Sequence, residues 1–290
     1  MPFSKDKRLP SHPLHTDKDK LKSLWQTVFQ DSEEFANLFF NRVYRPENTL
    51  IIRKENSIVS ALQMIPYNMK IADRIIPSAY VCGVCTLTLE RGKGLMNILI
   101  NEAMEIMRQK GYCVSILIPA QPWLFDFYKR FGYTHPINYS IESYHSNKDA
   151  TTPSNYTYIP YTTRYFPFFD KKQCERQNAV LHDVHDMKNI IQDLINDNGN
   201  AWIALEGDTP VGIALAKPVS KNTVVVKEIL CNNTQIKESL INNILNIYNA
   251  QTAEVHVPAN AEKVYPYGLA CVLDKSIVDI SDIYMASMLD

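Results

Sequence analysis

The stretch IIPSAYVCGVCTLTLERGKGLMNILINEAMEIMRQKG, residues 75–111, constrains this chain more than any other. Up to Leu89 it is dominated by β-branched and apolar residues, the composition of a strand shielded from water. From Leu95 onward apolar residues return at helical spacing: Leu95, Ile98, Leu99, Ala103 and Ile106 share one face, and Gly111 ends it. A buried strand feeding an amphipathic helix makes an α/β fold the expectation. The turn between them, RGKG, sets its glycines at the helix N-terminus. Glycine there lets backbone approach a ligand, and first-turn amides are unsatisfied donors beside the positive end of the dipole. Arg91 and Lys93 add charge. The turn can cradle a pyrophosphate, or it can be a plain flexible helix start. It is neither a Walker loop nor a G-x-G-x-x-G fingerprint, since Asn97 stands where the third glycine would be.

The same stretch holds Cys82 and Cys85 at C-x-x-C spacing. A redox pair sets its first cysteine at a helix N-terminus. Here the strand continues, and residues three apart on a strand face opposite sides, so packing is the expectation. The cysteines at 82, 85, 113, 174, 231 and 271 are scattered, which fits free thiols better than a disulfide framework. No second cysteine pair or histidine cluster completes a zinc site, so no metal is expected. Lysine and arginine number 30 against 31 acids, which argues against a main role in holding nucleic acid. The 290 residues, 46% hydrophobic, fit about two globular domains. The N-terminus lacks a signal-peptide core, and no run reaches the roughly 18 apolar residues needed to cross a bilayer. A cytoplasmic location and no membrane partner are expected.

Along the chain, TDKDKLKSLWQTVF reads as a helix capped by Thr16 or Asp17, and SEEFANLFFNRVY as a second capped by Ser32. NTLIIRKEN and SIVSALQMIPYNMKIA read as a hairpin turning at Glu55-Asn56. After the RGKG helix come a short buried strand (YCVSILIPA), a short helix (QPWLFDFYKRFGY) and a strand pair (THPINYSIESYH). Residues 147–160 are polar and read as a linker, separating a domain at 1–146 from one at 161–290. Beyond it the order of elements recurs as helix, hairpin, strand, helix, strand. In the second copy KEILCNNTQIKESL has no glycine or arginine between strand and helix, so any cradle is expected to be lost there.

This order, with R-G-K-G-L-M opening the helix and Y-K-R-F-G-Y downstream, resembles the GCN5-related N-acetyltransferase (GNAT) superfamily. The family signature Q/R-x-x-G-x-G/A falls on Arg91, Gly94 and Met96, where Met96 departs from the usual small residue. That departure and the second copy are similar to the Eis-like (enhanced intracellular survival) subgroup, here without its sterol-carrier-like third domain. The resemblance implies two tandem GNAT-type domains, each a mixed, mostly antiparallel sheet flanked by helices, the second degenerate. It implies acetyl-CoA as co-substrate, with Arg91, Gly92, Lys93, Gly94, Leu95 and Met96 holding the pyrophosphate and Val84, Cys85 and Thr86 pairing with the pantetheine arm. Tyr128 takes the place of the family's tyrosine acid, which would protonate the leaving thiolate.

The base is left open among Glu33 and Glu34, whose plainer reading is to favour a helix N-terminus, the terminal carboxylate of Asp290, and a water chain. The activity implied is transfer of an acetyl group to a primary amine on a small molecule or peptide, and a homo-oligomer is left open. The alternatives are a non-catalytic acyl-CoA-binding or regulatory protein and a purely structural module.

Overall fold

Helix α1 (Lys18–Phe29) forms because Leu21, Leu24 and Trp25 are buried along one side. Asp17 stands at its N-cap position but does not cap it. Its carboxylate instead accepts from the Leu14 amide at 2.8 Å and pairs with Arg53. Ser32 does cap α2 (Glu33–Leu38), accepting from the Phe35 amide at 3.1 Å. The expected hairpin is formed by β1 (Thr49–Lys54) and β2 (Ser57–Ile71), whose two-residue turn takes Glu55 to φ 55°.

Next come β3 (Arg74–Thr86), α3 (Leu95–Gln109), β4 (Val114–Leu117) and α4 (Pro122–Lys129). The buried face of α3 is Leu95, Leu99, Ile100, Ala103, Met104 and Met107, whereas Ile98 is 40% exposed. Strict helical spacing from Leu95 runs through 99 and 103 to 107, which turns position 98 to the flank. Each large side chain on that face contributes about 1.5–3 kcal/mol by leaving water. Gly111 ends the helix at φ 78°.

The structure, a computed structural model, describes residues 9–146, 155–259, 263–277 and 280–289. The chain clusters into two compact units: Met1–Tyr67, Ile76–His135 and Gly268–Val278 make the first, and Asn68–Ile75, Pro136–Tyr267 and Asp279–Asp290 the second. The elements of the second are β5 (His135–His145), β6 (Thr157–Pro160), α5 (Phe166–Gln173), β7 (Asn178–Leu181), α6 (Val184–Asn196), β8 (Asn200–Glu206), β9 (Thr209–Pro218), β10 (Thr223–Cys231), α7 (Thr234–Ile247) and β11 (Thr252–Pro258), followed by β12 (Tyr265–Val272).

In the first unit the strands run β1-β2-β3-β4-β12. Strands β3 and β4 pair in parallel, in register from Ser78↔Val114 to Val81↔Leu117, while Leu269–Val272 of β12 pair antiparallel with β4. Leu50, Leu62, Leu99, Met107, Leu117 and Leu269 belong to its core. In the second unit the order is β5-β11-β10-β9-β8-β6, with β10 and β11 parallel and β7 paired to Asn68–Ile71. Its core includes Val224, Val226, Leu240, Ile241 and Val255. The strands of each unit thus pair in a mixed, mostly antiparallel pattern and are flanked by helices.

Two expectations need correction. THPINYSIESYH is one strand, not two: β5 pairs with β11 without interruption from Tyr139↔Pro258 to His145↔Thr252. It contains no glycine that could turn it back. Of the stretch expected as a linker, residues 147–154 lie outside the described residues, and Thr157–Pro160 pair with β8 from Thr157↔Leu205 to Pro160↔Trp202.

Candidate active site

β3 is longer than its parallel partner. Pairing with β4 stops at Val81, and β3 continues through Thr86 with no register partner on that side. Gly83 makes this possible with φ 58°, a conformation L side chains rarely adopt, and with indole carbons of Trp25 packed where a Cβ would go. The freed end of β3 forms one wall of a cavity of about 750 Å³. Val84, Cys85 and Thr86 line it, as do Arg91, Gly92, Gly94, Leu95 and Met96 of the turn. The structure therefore brings together eight of the nine residues expected at a cofactor site; Lys93 is the one that does not line the cavity.

Gly92 and Gly94 both sit at φ 75°, and a Cβ on either would meet nothing within 4 Å. Their need for glycine is conformational, and the space before them is open. Gly94 is the N-cap of α3, and no side chain caps it. The first amides of a 15-residue helix thus face the cavity region uncapped, beside the positive end of its dipole.

The basic side chains do something other than what the sequence led us to expect. Lys93 Nζ turns back to the Leu89 carbonyl at 2.9 Å and to Glu90 at 3.0 Å. Lys54 reaches the same carboxylate at 2.7 Å. These two hydrogen bonds, from Lys54 and then Lys93, hold Glu90 well below the usual carboxylate range, at about 2. Arg91 Nε donates to the Thr86 carbonyl at 3.1 Å. Lysine and arginine here brace the turn against the strand, and the outward-facing donors are backbone amides.

The cysteines are free, and burial pushes the Cys82 thiol up and that of Cys85 up to about 12, so neither is a thiolate at neutral pH. Tyr128 does not line the cavity. It is 5% exposed and belongs to the core beside Tyr133, with burial raising its pKa; its neighbour Phe127 faces the cavity instead. Glu33 and Glu34 are exposed in the first turn of α2 and do not line the cavity either. Asp290 lies outside the described residues.

Sequence reasoning missed the far walls: Val28 and Phe29 at the end of α1, and Ala120, Gln121, Trp123, Leu124 and Phe127 around the start of α4. No sequence signal marked them: Trp123 is 66% exposed at the start of α4, which only the packed structure reveals.

The equivalent turn in the second unit has no glycine and carries its own cap, beside a cavity of about 580 Å³. Only Asn232 and Asn233 separate β10 from α7, and Asn233 Oδ1 accepts from the Ile236 amide at 2.9 Å, capping the helix from within. Among the described residues no group of three or more histidines, cysteines or acids is placed to hold a metal, and no helix is long and apolar enough to cross a membrane.

Residues 13–135 match the family described as an acetyltransferase (GNAT) domain. No curated protein matches the chain. Among solved structures, it is similar to a probable N-acyltransferase of unknown function from Enterococcus faecalis, at 12% identity and a TM-score of 0.75 over 91% of this chain and 72% of that one. A GCN5-related N-acetyltransferase from Anabaena variabilis gives 12% identity and 0.74 over 91% and 72%. Eis1 from Mycobacterium abscessus gives 9% and 0.70 over 91% and 74%. At these identities the likeness is one of fold.

Proposed function

We propose that residues 13–135, an acetyltransferase (GNAT) domain by that match, transfer an acetyl group from acetyl-CoA to a primary amine of a small-molecule or peptide acceptor. The observation that carries this reading is the uncapped start of α3 behind Gly92 and Gly94, opening on a cavity whose other wall is the unpaired end of β3. The residues present fit the cofactor. The amides from Arg91 to Met96 would hold the pyrophosphate, and the Val84–Thr86 edge would hydrogen-bond the pantetheine arm as a further strand would. Bound acetyl-CoA would supply the activated thioester. The aromatic and aliphatic walls, with Phe29, Leu124 and Phe127, would exclude water from it.

Tyr128 is the proposed proton donor to the departing thiolate. Its burial keeps the phenol protonated and at the same time makes it a weaker acid than a free tyrosine, so the role requires the ring to reach the cavity that Phe127 now lines. The base is proposed to be a water chain, Glu33, Glu34 or the Asp290 carboxylate. The second unit is proposed to be a degenerate copy of the same fold in an Eis-like arrangement, and the protein to act in the cytoplasm. A second reading has one observation in its favour. Tyr128 lies in the core rather than on the cavity, as it would in a protein that binds acyl-CoA without turning it over.

Calorimetric titration of the chain with acetyl-CoA, beside a Gly94→Trp variant, tests the site. Micromolar binding abolished in the variant supports the cradle. No binding by a chain that melts cooperatively overturns it. Binding without acetylation of any member of an amine library favours the second reading.

A further inference from the structure

The second unit keeps one half of the architecture just described and has lost the other. β10 and β11 pair in parallel only from Thr223↔Thr252 to Val226↔Val255, then part, although β10 runs on to Cys231 and β11 to Pro258. At the point of parting the register of β10 against β9 slips between Val226 and Glu228, so Lys227 is a bulged residue, re-aimed relative to its neighbours. At the helix-turn end of this gap the Asn233 side chain takes the Ile236 amide, and no glycine lets backbone approach a ligand there. The gap itself is not filled. Two cavities open along it: one of about 580 Å³ between residues 229–231 and 256–258, reaching Asn233 and Lys237, and one of about 210 Å³ lined by Tyr139, Lys227, His256, Tyr267, Tyr284 and Ser287 among others.

We propose that the smaller cavity is a separate binding site for a small carboxylate carrying a single aromatic ring. Lys227 brings positive charge to the wall, and tyrosine, histidine and serine side chains bring hydrogen-bonding groups. Ser287 is 5% exposed, and its hydroxyl has no partner among the described residues, a cost that a ligand oxygen would relieve. Tyrosine rings supply flat apolar surface; that of Tyr139 lies 4.4 Å from the His256 ring and 5.8 Å from the Tyr267 ring. The space equals about seven water volumes of roughly 30 Å³ each, enough for one substituted ring and too small for a nucleotide.

The segment carrying Tyr284 and Ser287 is firmly held. Tyr284 exchanges backbone hydrogen bonds with Asn178 and Val180 at 2.8 and 3.0 Å, and the Ala286 carbonyl meets His182 Nε2 at 2.8 Å. The Arg176 guanidinium lies 4.0 Å over the Tyr284 ring while gripping Glu228 through two bonds of 2.7 Å. A wall fixed in this way is preorganised, so a ligand need not order it on binding. The site belongs to the second unit alone and does not depend on the acyltransferase reading of the first.

The test is titration of the full chain with sodium benzoate, by calorimetry and saturation-transfer NMR, against benzamide as the uncharged analogue. Benzoate is expected to bind and benzamide to bind roughly tenfold more weakly. Lys227→Met is expected to weaken benzoate roughly tenfold, and Ser287→Ala about threefold or more. Absence of saturation transfer to benzoate overturns the proposal. So does equal binding of benzamide, or unchanged affinity in both variants. Displacement of benzoate by inorganic phosphate at equal concentration overturns the carboxylate assignment. Should Lys227→Met fail to melt cooperatively, Ser287→Ala and the benzamide comparison decide.

Discussion

Two glycines of the first unit share a left-handed conformation and differ in what surrounds them, which makes their alanine variants a controlled pair. At Gly94 (φ 75°) an added Cβ meets nothing within 4 Å. Gly94→Ala should therefore cost only the backbone strain of a left-handed L residue, about 1–2 kcal/mol. At Gly83 (φ 58°) the same strain applies, but the Cβ would overlap Trp25 Cζ3, with Cε3 at 3.0 Å and Cη2 at 3.1 Å. The indole cannot step aside cheaply. It packs 4.7 Å from the Phe39 ring and 5.0 Å from that of Phe29, and its Nε1 donates to Asp31 at 2.7 Å. Overpacking of this kind adds about 1–3 kcal/mol, so Gly83→Ala should lose about 2–5 kcal/mol in all. Urea melts followed by circular dichroism, with both variants and a Gly83→Ala/Trp25→Leu double variant, read this directly. The double variant should recover at least about 1 kcal/mol relative to the sum of the single losses, because the clashing ring is gone. Gly83→Ala also shifts the helix that carries Val28 and Phe29 into the cavity wall, so acetyl-CoA affinity should fall with stability. A Gly83→Ala variant within about 0.5 kcal/mol of Gly94→Ala, or a strictly additive double variant, would refute the claim that glycine is needed at 83 for space.

The other predictions concern charges and the proposed acid. Tyr128→Phe should lower kcat by roughly 10²–10⁴ with little change in melting temperature, and an unchanged kcat in any acetylation assay removes the residue from the mechanism. Glu90 titrates below its unfolded value of 4.5, at about 2, so its ion pairs stabilise the fold above pH 4.5 and lose that effect as pH falls towards 2. Thermal melts of Glu90→Gln should therefore differ most from the parent above pH 4.5 and converge with it near pH 2. Arg176→Ala leaves the buried Glu228 carboxylate uncompensated and should cost about 3–5 kcal/mol in a urea melt, most of it restored by Arg176→Met/Glu228→Leu.

What could be read from the chain was local. Helix α3, the β1/β2 and β8/β9 hairpins and the caps at Ser32, Gly94 and Gly111 follow from periodicity and turn chemistry within a few residues. The proposed anion cradle at RGKG was legible for the same reason: the turn's conformation and its uncapped amides are properties of about ten consecutive residues.

What the sequence could not determine depended on neighbours distant along the chain. Asp17 looked like a helix cap until Arg53 drew its carboxylate away. Lys93 read as a charge for a ligand, but Glu90, held by Lys54, claims it. Leu269–Val272 pair with β4 from about 150 residues downstream, a partner that no local pattern announces. Val28 and Trp123 close the cavity opposite β3 only once α1 and α4 are packed, and the same packing takes Tyr128 into the core one position from Phe127, which faces the cavity. Sequence by itself determined the elements and the turn that can hold an anion, because hydrogen bonding and backbone conformation act over one or two turns of chain. Only the tertiary structure decided which charges are spent, which strand is left unpaired and which face of each helix meets the cavity, because burial and pairing are settled by whatever comes to lie alongside.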